Sequence, residues 1–125
     1  MNVHEELREY LNQKENEIRK CKNLKCKKVT EEIDKIFKGR ALKLVNNQKE
    51  KVYAICQNSY AYESFSRVCF GIEVIVISAN KGIKTTSERV PMYSIISKYE
   101  ECTAEEIKEF INQNTINYIE QLGLK

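Results

Sequence analysis

Residues 67–90 read RVCFGIEVIVISANKGIKTTSERV, and the fold turns on what this stretch becomes. In an extended chain Val68, Phe70, Ile72, Val74 and Val76 share one face, while Cys69, Gly71, Glu73, Ile75 and Ile77 share the other. The first set is wholly apolar. The second is mixed near Glu73 and apolar beyond it, the pattern of a strand covered on both sides at one end only. The β-branched residues, Gly71 and the shortness of the run favour a strand over a buried helix. Asn80-Lys81-Gly82 interrupts the run, and Ile83 to Val90 returns as a polar strand with the character of an edge. Pro91 ends it, because proline cannot donate to a ladder. The stretch 67–90 is therefore expected to be a hairpin, its first strand in the middle of a small antiparallel sheet.

Upstream, ALKLV begins at Ala41, NNQKE has the make-up of a turn, and KVYAICQ sets Val52, Ala54 and Cys56 against Tyr53 and Ile55. These predict a first hairpin over 41–57. Between the hairpins, NSYAYESFS (58–66) has a loop-forming composition and reads as a connection or a helical turn. It brings three rings, Tyr60, Tyr62 and Phe65, close together in sequence.

Helical spacing fills the rest of the chain. Val3, Leu7, Tyr10, Leu11, Ile18 and Cys21 predict an amphipathic helix over 3–22, with Lys14 breaking the stripe. Val29, Ile33, Ile36 and Phe37 predict a second helix over 30–38, with Thr30 as N-cap and Gly39 at its C-terminal end. Met92, Ile95, Ile96 and Tyr99 predict a short helix over 92–100. Thr103-Ala-Glu-Glu106 is a capping box opening a helix over 104–122. The expectation is a single α+β domain over 1–125: about four antiparallel strands packed with N-terminal and C-terminal helices, all on one face. No internal repeat or linker is visible, and the element order by itself names no family.

At 125 residues, the chain is long enough for one real core, and its mixed charge argues against wholesale disorder. No apolar run approaches the roughly 18 to 20 residues that cross a bilayer. The start, MNVHEELREYLNQKENE, lacks the apolar centre of a secretory signal. Five cysteines cannot all pair within one chain, and Cys56 and Cys69 lie inside apolar runs, so reduced thiols in a cytosol are expected. Heavy use of Lys, Ile, Asn and Tyr beside four Gly, one Pro and no Trp implies an AT-rich genome, that of a low-GC bacterium, its plasmids or its phages.

Catalytic equipment is sparse. His4 is the single histidine and falls in the first turn of a helix, too loosely held to activate a cysteine. Cys21 and Cys26 have a spacing at the outer range for metal ligands, but Cys56, Cys69 and Cys102 are scattered, so no metal site is expected. Glu63 and Glu73 suggest a nuclease carboxylate pair, yet Glu73 is followed by Val74 and Ile75 and not by x-Lys. The glycines stand alone, which excludes a phosphate loop. These absences point away from catalysis and from a cofactor.

Charge is the remaining signal. From Lys14 to Lys43 eleven basic residues stand against five acidic ones, and from Glu100 to Lys125 six acidic stand against two basic. Arg19, Lys20, Lys22, Lys25, Lys27, Lys28, Lys35, Lys38 and Arg40 form a candidate surface for a protein partner or a polyanion. Tyr60, Tyr62 and Phe65 could stack on bases if they fell on the same side. Two function classes follow. One is sequence-independent contact with nucleic acid, or a nucleotide held in an aromatic and basic pocket. The other, favoured here, is a non-catalytic cytosolic binder of another protein, or of a second copy, whose basic and acidic parts meet across an interface. In type, though not in motif, such a chain is similar to phage and plasmid accessory proteins, among them inhibitors that occupy the surface of a host defence enzyme.

Overall fold

The computed structural model describes residues 3–19, 27–45, 51–79 and 81–123. Strands β1 (Ala41–Leu44), β2 (Tyr53–Ser64), β3 (Arg67–Ala79), β4 (Ile83–Pro91) and β5 (Tyr99–Glu101) form one antiparallel sheet in the order β4-β3-β2-β1-β5. Helices α1 (Val3–Gln13), α2 (Glu15–Arg19) and α3 (Lys27–Phe37) precede the sheet; α4 (Met92–Lys98) and α5 (Ala104–Gln121) follow β4 and β5. The α+β class holds, as do both hairpins. β3 is interior and β4 is an edge, as its polar residues require.

The helices occupy both faces of the sheet, not one. On the first face Phe70, Ile72 and Val74 of β3 pack with Leu7 of α1 and with Val29, Ile33 and Phe37 of α3. On the second face Ile75 and Ile77 share a smaller core with Tyr53 of β2 and Ile107, Phe110 and Ile111 of α5. β3 is thus apolar on both sides only where α5 lies over it, which is why its second face is polar near Glu73.

Several elements differ from their expected bounds. The first helix is interrupted at Lys14, the break in its stripe, and continues as α2 to Arg19; positions 20–22 lie outside the described residues. α3 starts at Lys27, three positions before the expected cap. Thr30 is therefore inside its first turn, and its hydroxyl bonds back to the Lys27 carbonyl at 3.0 Å. Gly39, at φ 83°, does end this unit in the left-handed conformation. The expected turn at 46–50 lies outside the described residues.

The connection at 58–66 is instead strand. β2 runs on to Ser64, with a bulge between Cys56 and Ser59 where its register against β3 slips. Ser59 is tied to α3 twice: its N–H donates to Asp34 Oδ1 at 2.6 Å and its hydroxyl to the Thr30 carbonyl at 2.8 Å. Phe65 and Ser66, at φ 51° and 64°, make a two-residue turn into β3. The helix expected over 92–100 stops at Lys98, and Tyr99–Glu101 becomes the fifth strand, with Tyr99 buried and Glu100 opposite Lys43. Thr103 caps α5, its hydroxyl accepting from the Glu106 N–H at 3.1 Å.

Candidate binding surface at the open end of the sheet

The bulge decides which side chains of β2 face outward. Before it, Ala54 and Cys56 point to α3; after it, Ala61 does, and Tyr60 and Tyr62 take the opposite face. There they stand across from Gly71 and Cys69. α5 packs against the other end of this face, on Tyr53, Ile55, Ile75 and Ile77, so among the described residues no helix covers the end bearing Tyr60 and Tyr62.

Tyr60 lies over Gly71 so closely that a Cβ there would stand 2.4 Å from its ring and hydroxyl. The Arg89 guanidinium carbon sits over the same ring, 4.9 Å from its centroid, and Arg89 Nε donates to Glu73 Oε1 at 3.1 Å. The Tyr62 ring follows at 5.8 Å, tilted by 38°. Burial raises both phenols above their usual titration range; Arg89 opposes the shift at Tyr60, and Cys69 adds to it at Tyr62. Both hydroxyls are thus neutral at physiological pH, able to donate as well as accept. Tyr93, 70% exposed in α4, adjoins this group, and Phe65, 98% exposed, projects from the β2–β3 turn.

The structure brings Tyr60 and Tyr62 together and sets Phe65 at the tip beyond them. It separates Tyr60 and Tyr62 from the described lysines of α3. Lys27, Lys28 and Lys35 are exposed on α3, with Lys38 just after it, and α3 covers the opposite face of the sheet. Lys20, Lys22, Lys25, Cys21 and Cys26 lie outside the described residues, as do the side chains of His4 and Arg19.

Arg40 is neutralised within the chain: it bridges Glu101 at 2.8 Å and Glu6 at 3.4 Å. Lys43 likewise reaches Glu100 at 3.3 Å and Glu106 at 3.7 Å, and its pKa is raised, first by the Glu100 hydrogen bond. At these residues the basic and acidic parts meet inside one molecule, through the pairing of β1 with β5, and not across an interface.

Burial pushes the Cys56 thiol up to about 12 and, with Glu106 beside it, the Cys102 thiol up to about 11, so neither is a nucleophile at neutral pH. Glu63 and Glu73 project from opposite faces of the sheet and form no pair. Among the described residues no group of three metal-ligating side chains occurs, and no helix is long and apolar enough to cross a membrane. A cavity of about 620 Å³ under α5, lined by Tyr53, Glu106, Glu109 and Phe110 among others, adjoins Lys51. Compared with family models, curated proteins and solved structures, the chain matches none.

Proposed function

We propose that the chain is a small, non-catalytic cytosolic binding protein that inhibits or regulates a larger protein through the outer half of the β2–β3 hairpin. The observation that carries this reading is Phe65. It is 98% exposed at the tip of the longest hairpin, in a left-handed conformation that costs a bulky side chain about 1–2 kcal/mol. Nothing in the fold needs a ring there; asparagine and glycine are the residues such a turn prefers. Behind it lie Tyr60, Tyr62, Tyr93 and Arg89, the side-chain types that dominate the energetic centres of protein interfaces. A host factor of a low-GC bacterium is the partner class suggested by the composition.

The test compares the wild-type chain with a Phe65→Asn/Ser66→Gly variant, both immobilised and exposed to such a bacterial lysate. A protein retained by the wild type and lost at least about tenfold from the folded variant is the expected outcome. Equal retention on both removes the reading.

Sequence-independent binding of nucleic acid or a nucleotide through segment 14–43 is supported by the exposed Lys27, Lys28, Lys35 and Lys38. It loses support from the rings lying on the other face and from the neutralisation of Arg40 and Lys43. Affinity for unrelated DNA and RNA across a salt series tests it. A steep fall with salt, weakened by removing Lys22, Lys25, Lys27 and Lys28, would sustain it.

A further inference from the structure

β4 ends the sheet with its outer side paired to no strand among the described residues, and every residue from Lys84 to Arg89 is exposed. Edge strands are ordinarily protected by charges that repel a second strand. The charges of β4 do the reverse in one register. Lys84 and Glu88 project from the same face and lie equally far on either side of Thr86. If two copies pair antiparallel about a two-fold axis at Thr86, Lys84 of each stands opposite Glu88 of the other. Thr85 then meets Ser87, and Ile83 meets Arg89. Moving the axis to Thr85 or Ser87 loses both charge pairs, and moving it to Lys84, Glu88 or Arg89 sets that charge against its own copy.

A second feature stands at the same edge. Tyr118 of α5 packs its ring on Gly82 in the turn before β4, and Ile119 and Leu122, 39% and 62% exposed, follow it. The apolar end of α5 therefore adjoins the free edge and offers area that a lone strand lacks.

The geometry points to a symmetric homodimer in which β4 pairs with β4 about Thr86, joining the two sheets into one. The interface is isologous, so each charge pair occurs twice.

Sedimentation equilibrium on the full chain tests this with Lys84→Glu and Glu88→Lys, substitutions of exposed residues that circular dichroism can confirm as folded. The wild type should reach twice its monomer mass with concentration. Each variant alone should dimerise about tenfold more weakly, because two attractive cross-strand pairs become repulsive. An equimolar mixture of the two variants should recover near wild-type affinity, since their charges then complement again. The Phe65→Asn/Ser66→Gly variant should dimerise normally, which separates this interface from the hairpin tip. A wild type that stays monomeric overturns the inference, as does a dimer indifferent to either substitution or a mixture that fails to recover. A monomer whose β4 takes up an unrelated extended peptide overturns it equally.

Discussion

Gly71 is the residue on which the open surface rests. Its backbone is unremarkable in conformation; what it supplies is the space where a side chain would stand. A Cβ would meet the Tyr60 ring at 2.4 Å and the Val90 carbonyl oxygen at 2.7 Å. The ring can swing aside, but the carbonyl belongs to the neighbouring strand and cannot. Gly71→Ala should therefore cost about 1–3 kcal/mol in urea denaturation, and adding Tyr60→Ala should recover only part of it. In the sequence Gly71 was legible only as a residue that disfavours a buried helix. Nothing local says that a tyrosine eleven positions earlier lies over it, because the pairing depends on the bulge. Thr103 and Thr30 show the same limit from the other side. Both precede acidic residues, yet only Thr103 caps, since Thr30 lies in a helix that has already begun at Lys27.

Among the helices, α3 is the one most firmly tied to its surroundings. Its apolar side fills the larger core, Asp34 and Thr30 hold Ser59 at the bulge, and Glu32 accepts from the Tyr10 hydroxyl of α1. That last bond lowers the Glu32 pKa, with Lys14, Lys28 and Lys35 assisting. A carboxylate whose folded pKa is depressed contributes stability at neutral pH and loses it as pH falls through the folded value. Tyr10→Phe should lower the urea midpoint at pH 7, and the difference from wild type should vanish below the pH at which Glu32 titrates.

The periodicity of α1, α3 and α5 was readable, as were the strands of β3 and β4. β5 was hidden because Tyr99 also fits a helical spacing with Met92 and Ile96. It becomes strand because the free side of β1 takes up its backbone groups while Tyr99 is buried in the larger core, with Lys43 and Arg40 pairing Glu100 and Glu101. The outer half of β2 was hidden because its alternation changes phase at the bulge, leaving two short patterns where one long one would have been recognised.

For the molecule as a whole, the charge polarity of the sequence is partly a folding device. Arg40 and Lys43 take up Glu6, Glu100, Glu101 and Glu106, which joins the chain's basic and acidic stretches at the β1–β5 end of the sheet. Charge counts along a chain cannot separate such internal pairs from an external surface, because strand order decides which carboxylate each lysine meets. The aromatic surface was equally hard to foresee. Its rings are close in sequence, but their shared orientation, and their separation from the lysines of α3, are properties of the sheet.

The slip between Cys56 and Ser59 also governs where the hairpin tip points. Bulges bend the strand that carries them and sharpen its twist. Removing Asn58, an exposed residue, would let β2 pair with β3 without interruption. Ser59 and Ala61 would still turn inward and the tyrosines outward. Such a deletion should lower thermal stability by releasing the Ser59 N–H from Asp34, and swing the distal arm to a new direction, readable as altered residual dipolar couplings for 60–70 against an unchanged frame. The direction of this arm is thus set at an elbow that carries none of its outward rings.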